Sequence, residues 1–119
     1  MEKFLPRENC PVRTILSRFG DKWSVLIMVT LHANGTLRFS DMQRAIGDIS
    51  QRMLTVSLRT LEADGLVNRK VYAEVPPRVE YRLTEMGASL LPHLQALIDW
   101  AMENMDTIKE HRTQTTEIK

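Results

Sequence analysis

At 119 residues the chain is long enough for one domain with a real core and too short for two. Hydrophobic residues at 43% and charged residues at 26% exclude global disorder and a fibrous architecture. Lys and Arg number 16 against 15 Asp and Glu, a net charge of +1, so any polyanionic partner must be met by a local surface and not by the molecule as a whole.

The longest apolar runs, such as 25–29, fall far short of a membrane span, and no basic segment followed by an apolar one opens the chain. No membrane association and a cytoplasmic location are therefore expected. A lone cysteine, Cys10, cannot form an intrachain disulfide, in keeping with a reducing compartment. Charge is unevenly spread: the first third is net basic, while from Glu85 onward six acidic residues face only Lys109, Arg112 and Lys119. A polyanion would be met by the middle of the chain.

Residues 1–9 show no apolar period and contain Pro6, which predicts a flexible N-terminal arm. At Cys10-Pro11 the pattern changes, because proline suits the first helical position and Val12, Ile15, Leu16 and Phe19 recur at helical spacing up to Gly20. Asp21 is the expected N-cap of a second helix, Lys22 to His32, whose Trp23, Leu26, Ile27, Val29 and Leu31 cover so much of the circumference that it must be the central buried one. Ala33-Asn34-Gly35 ends it. A short extended piece, Leu37-Arg38-Phe39, precedes a third helix with Ser40 and Gln43 in the capping-box relation and Met42, Ala45 and Ile46 offered to the core. Gly47 stops that helix.

The fourth helix organises the chain. Ser50 is a good N-cap, Leu54, Leu58 and Leu61 form one stripe, and Asp64-Gly65 supplies the left-handed residue at which a helix ends. Opposite the leucines lie Arg52, Val56 and Arg59, with Thr55 at the margin and Gln51 in the first turn. This face is short-chained, cationic and free of carboxylates in its middle, and so suits a DNA major groove. Two short helices joined by a tight glycine turn have the sequence shape of a helix-turn-helix.

From Leu66 to Leu83 the period becomes alternating. Val79, Tyr81 and Leu83 oppose Arg78, Glu80 and Arg82, and Val67, Arg69 and Val71 oppose Asn68, Lys70 and Tyr72, with Glu74-Val75-Pro76-Pro77 as the turn. This predicts a two-stranded hairpin, a wing. Thr84 then caps a final helix that Pro92 should kink. Leu90, Leu94, Leu97, Ala101 and Met105 line one side of it, and Leu91, Ile98 and Met102 a second. A helix apolar on two sides predicts a homodimer, with Leu90, Leu94, Leu97, Ile98, Ala101, Met102 and Met105 at the interface and helix one beside them. From Lys109 the composition turns polar and threonine-rich, which predicts a disordered tail over 109–119. The expected fold is mainly α with a small β-hairpin (α+β), a winged helix-turn-helix domain over 10–108 with N- and C-terminal dimerisation helices.

Several ordered blocks carry a family likeness. Cys10-Pro11, Gly20-Asp21-Lys22-Trp23, Phe39-Ser40-Asp41-Met42, Ile49 to Leu54, Leu58 to Val67, Glu74 to Tyr81 and Leu83-Thr84-Glu85-Met86-Gly87 closely resemble the HxlR family of bacterial transcriptional regulators. The likeness runs from Cys10 to about Met105; Asp21 stands where the family often has a smaller residue. The resemblance implies a winged helix-turn-helix dimer on operator DNA in the cytoplasm, with the helix 50–64 as the reading helix and 66–83 as the wing. Some members use a cysteine matching Cys10 to sense oxidants or electrophiles, and many carry it without such a role.

The candidate DNA-binding residues are Ser50, Gln51, Arg52, Thr55, Val56 and Arg59 on the reading helix and Arg69, Lys70 and Arg78 on the wing. Arginine can grip guanine or phosphate, glutamine can pair with adenine, and Val56 or Thr55 can touch a thymine methyl. Arg78, beside Pro77 on a stiff turn, is the favoured wing contact, while Glu80 is expected to pair with a wing arginine. Cys10 is a candidate redox sensor, because a helix N-terminus and the nearby Arg7 and Arg13 favour thiolate; the alternative is a small hydrophobe at the dimer seam. His32, His93 and His111 are too scattered for a metal site, and no catalytic set or cofactor motif stands out. The competing expectation is a winged-helix module that docks protein without reading DNA. A small-molecule or oxidant effector is left open.

Overall fold

The computed structural model describes residues 11–118, so the arm 1–9 and Cys10 lie outside the described residues. Its elements follow in the order α1 (Pro11–Phe19), α2 (Ser24–Asn34), β1 (Thr36–Arg38), α3 (Phe39–Ile46), α4 (Gln51–Ala63), β2 (Val67–Tyr72), β3 (Arg78–Leu83) and α5 (Glu85–Ile118). The fold is mainly helical with a small antiparallel sheet, a winged helix-turn-helix. Helix α2 is the central one: Ser24, Ile27, Met28 and Leu31 are buried, and Trp23, Val25 and Val29 pack half-buried against the core. Around it gather Met42 of α3, Leu54, Leu58 and Leu61 of α4, and Leu91 and Leu94 of α5.

Three local expectations are corrected. Helix α2 begins at Ser24 and not at Lys22, since Lys22 and Trp23 form a turn, and the Asp21 carboxylate accepts, as a cap would, from the backbone N–H of both Trp23 and Ser24 at 2.8 Å and from the Ser24 hydroxyl at 3.0 Å. Asp21 thus satisfies first-turn donors from across a preceding turn. Helix α3 starts at Phe39 with Arg38 extended before it and no side-chain cap, so the Ser40–Gln43 capping box does not form; the Gln43 amide donates instead to the Ile49 carbonyl at 3.4 Å. Ala45 is exposed, leaving Met42 and Ile46 to face the core.

The sheet has three strands in the order β1-β3-β2, all antiparallel, where the alternating pattern alone predicts two. Strand β1 spans only three residues, too few to show a period, and pairs Leu37 with Tyr81. In the hairpin Val67 opposes Leu83, Arg69 opposes Tyr81 and Val71 opposes Val79, so these six share one face, and Asn68, Lys70 and Tyr72 lie with Arg82, Glu80 and Arg78 on the other.

The end of α4 and the start of α5 are sewn together. Gly65, at φ +77°, donates to the Glu62 carbonyl and Leu66 to the Leu61 carbonyl, both at 3.0 Å, which is the paired-bond helix stop that a left-handed residue permits. The Thr84 hydroxyl donates to the Gly65 carbonyl at 2.6 Å and accepts from the Gly87 N–H at 3.0 Å, capping α5 against that stop. A Cβ on Gly87 would lie 2.2 Å from the Leu66 carbonyl oxygen, so only glycine allows this approach. Helix α5 then runs through Pro92 and on through 109–118, where composition predicts loss of order. A helix's own i→i−4 bonds need no core, and here the hydroxyls of Thr113 and Thr115 donate to the Lys109 and His111 carbonyls.

A candidate nucleic-acid interface

The second helix of the helix-turn-helix is set by its own first turn. Ser50 is extended, and its hydroxyl accepts from the Met53 N–H at 3.0 Å. Leu54, Ser57, Leu58 and Leu61 are then buried, which leaves Gln51, Arg52, Val56 and Arg59 exposed and Thr55 half-buried on the outward side. Neither Arg52 nor Arg59 meets a carboxylate among the described residues. The Thr55 and Thr60 hydroxyls donate to the Gln51 and Val56 carbonyls at 2.9 and 3.0 Å. Among the described residues the free donors of this face are thus the Ser50 hydroxyl, the Gln51 amide and the two guanidinium groups, with the Thr55 methyl and Val56 as its apolar points.

The wing is more constrained than its composition suggests. Arg78, the favoured contact by sequence, is held inside the hairpin: it lies 3.3 Å from Glu74, 3.6 Å from Glu80 and 3.9 Å from the Tyr72 ring centre. Two carboxylates and an aromatic face occupy a side chain only 29% exposed, so Arg78 stiffens the tip before it contacts anything foreign. The expected partner of Glu80 is therefore Arg78. Lys70 sits 4.9 Å from the same ring and is exposed.

Arg69 behaves differently. By strand parity it shares the face of Val67 and Val71; of these three only Val67 is buried, and Val71 and Arg69 are exposed. Its side chain lines a notch of about 290 Å³ with Thr55, Leu58, Arg59 and Glu62 of α4 and Tyr81 of β3. Glu62 and Tyr81 were not legible as part of this surface. The available signals were the three-residue spacing from Arg59 to Glu62 and a cation at an apolar position of the strand.

A second surface is apolar. Val12, Ile15 and Leu16 of α1 are exposed, as are Leu97, Trp100 and Met102 of α5. Of the expected interface residues, Leu94 is buried in the subunit's own core, Leu90, Ile98, Ala101 and Met105 are half-buried, and Leu97 and Met102 are open. Between α1 and α5 lies a cleft of about 280 Å³ lined by Ile15, Phe19, Leu66, Met86 and Leu90. On its wall the Arg18 guanidinium donates to Asp64, tying α1 to the residue that ends α4 across 46 residues of sequence. Among the described residues no cluster of His, Cys, Asp and Glu could hold a metal ion, and no helix is long and apolar enough to cross a membrane.

A model of the HxlR-like helix-turn-helix family matches residues 18–109. An uncharacterized HTH-type transcriptional regulator of Methanothermobacter thermautotrophicus is 54% identical over 91 residues, which cover 76% of this chain and 69% of that protein. Among solved structures, the candidate transcriptional regulator YtfH from Salmonella typhimurium superposes with a TM-score of 0.82 at 43% identity, covering 94% of this chain and 99% of that one. The redox regulator HypR in its reduced form gives 0.78 at 42% identity, covering 85% and 99%.

Proposed function

Because this chain belongs to the HxlR-like helix-turn-helix family, whose similar proteins are transcriptional regulators and not enzymes, we propose that it regulates transcription as a homodimer reading a pseudo-palindromic operator. The observation that carries the reading is the outward face of α4, where Gln51, Arg52, Val56 and Arg59 stand exposed with no carboxylate among them. Gln51 and Arg52 lie in the first turn, the part of a recognition helix that meets base edges in the major groove. Arg69 and Lys70 of the wing reach the flanking backbone, and Arg78 holds the tip in shape. The apolar faces of α1 and α5 join two subunits, which sets the two reading helices about 34 Å apart, one turn of B-DNA. Cys10 gives the dimer a route to oxidant or electrophile response, a reading supported by the likeness to a redox regulator.

Selection of bound fragments from random DNA tests this directly. A palindromic consensus should emerge, and binding should weaken steeply with salt, log K falling by about 0.9 per neutralised phosphate for each unit of log salt concentration. A bound pool without a shared sequence, or a shallow slope, would favour the protein-docking alternative. Repeating the selection with Cys10→Ser and with diamide assigns the thiol: affinity that ignores both removes Cys10 from the mechanism.

A further inference from the structure

The notch between α4 and the sheet brings together two guanidinium groups from separate elements, Arg59 on the helix and Arg69 on β2. We propose that this notch is a seat for one backbone phosphate of the DNA, so that Arg59 holds the strand and does not read a base; the inference rests on the DNA-binding reading above. Both arginines are without a carboxylate partner among the described residues, although Glu62 lines the same notch one turn beyond Arg59. With one carboxylate against two guanidinium groups the notch keeps a net positive charge, and a phosphate can balance it while accepting from both forks.

The position of Arg69 adds to this. Arg69 shares a strand face with Val67, which is buried, and Val71, which is exposed, so its guanidinium stands at the border between core and solvent, beside the notch. Its partner across the ladder is Tyr81, which lines the notch with Leu58. The Thr55 hydroxyl already donates to the Gln51 carbonyl and offers the seat no proton. Charged donation to the seat therefore falls to the two arginines, with the Tyr81 hydroxyl as a neutral donor in the same lining. Glu62 acts against them, since its carboxylate weakens the hold on any anion in the same space, and the seat grips DNA more loosely than two arginines alone would. Base reading is left to Gln51, Arg52 and Val56.

Binding of the full chain to a selected duplex and to a scrambled duplex of equal length, each over a range of salt, separates the possibilities. Arg59→Ala and Arg69→Ala should each weaken both duplexes by the same factor, about tenfold. The double variant should weaken them little further, with the salt slope reduced by about 0.9 in total, because one phosphate is shared. Arg59→Lys keeps a charge and should restore most of the slope. Glu62→Gln should tighten binding to both duplexes, with the preference between them unchanged. Circular dichroism confirms that each variant is folded.

A larger loss on the selected duplex for Arg59→Ala would return that residue to base reading and overturn the seat. Two independent losses, with the slope falling by about 1.8, would mean two separate phosphates and overturn it equally. So would a Glu62→Gln variant that binds as the unmodified protein does. If the unmodified protein binds neither duplex, the DNA-binding reading itself fails and takes the seat with it. If Arg52→Ala shifts the preference while Arg59→Ala does not, both stand.

Discussion

Helices α4 and α5 obey the same helical period and bury leucines in the same core, yet they turn opposite kinds of surface outward. On α4 the inner stripe of Leu54, Leu58 and Leu61 is fully used by the subunit, and what remains outside is Gln51, Arg52, Val56 and Arg59. On α5 the subunit uses Leu91 and Leu94, and what remains is Leu97, Trp100 and Met102, each more than half exposed. A polar outward face is stable in water as it stands and gains from a charged partner. An apolar one of this extent is left incomplete until something apolar covers it. The contrast separates the surface we propose for DNA from the surface we propose for assembly.

The largest expected effect compares one leucine from each helix. Leu54 is wholly buried, so Leu54→Ala should cost about 2–5 kcal/mol through lost transfer energy and the cavity left behind. Leu97 is 59% exposed in the subunit, and Leu97→Glu should change the stability of a lone subunit by no more than about 0.5 kcal/mol. Thermal unfolding over a range of protein concentrations distinguishes the two. The deficit of Leu54→Ala should persist at every concentration, whereas that of Leu97→Glu should widen as concentration rises, because association stabilises only the unmodified chain. A Leu97→Glu deficit that ignores concentration would break the contrast, leaving the α5 face a bare surface.

A smaller effect concerns how α4 begins. Ser50→Ala removes the hydroxyl that accepts from Met53 and should cost about 1 kcal/mol. The first turn carries Gln51 and Arg52, so its fraying should also weaken binding to a selected duplex. Asparagine at position 50 supplies the same acceptor and should restore stability; a Ser50→Asn variant no more stable than Ser50→Ala would mean that the cap does not hold this turn.

What sequence could reveal of this arrangement follows from the range of the forces involved. Helical spacing, glycine stops and strand alternation are local, so the leucine stripe of α4, the end at Gly65 and the two wing strands could be read directly. The third strand could not, since Thr36–Arg38 is too short for a period and gains its identity only by pairing with β3. Arg78 illustrates the same limit. Its place beside Pro77 suggests a free, stiffly held cation, but Glu74 lies across the turn and Glu80 two residues along, and only the folded tip shows that both engage it over Tyr72. Arg69 shows the limit differently: the strand pattern offers it as a wing cation, but that it lines one notch with Arg59 and Glu62 of α4 depends on how the sheet meets that helix. Helix α5 is legible as apolar on two sides, while the assignment of Leu94 to the subunit's own core needs the position of α2.

The smallest expected change is the most selective probe of the outward face of α4. Val56 is 49% exposed, its neighbours on the helix surface are Arg52 and Arg59, and the subunit gives it no core to fill. Val56→Ala therefore removes little buried area, and alanine is the better helix former, so stability should hold or rise by a few tenths of a kcal/mol. If this face lies in a major groove, the valine methyls are placed to meet a thymine methyl, and their loss should weaken a selected duplex by a factor of about three to ten. The loss should vanish when that thymine is replaced by uracil, which keeps the base pair and drops only the methyl. Phosphate contacts are untouched, so the salt slope should not move. A variant that weakens selected and scrambled duplexes alike, or that binds both unchanged, would place Val56 outside the groove and turn the outward face of α4 away from the bases.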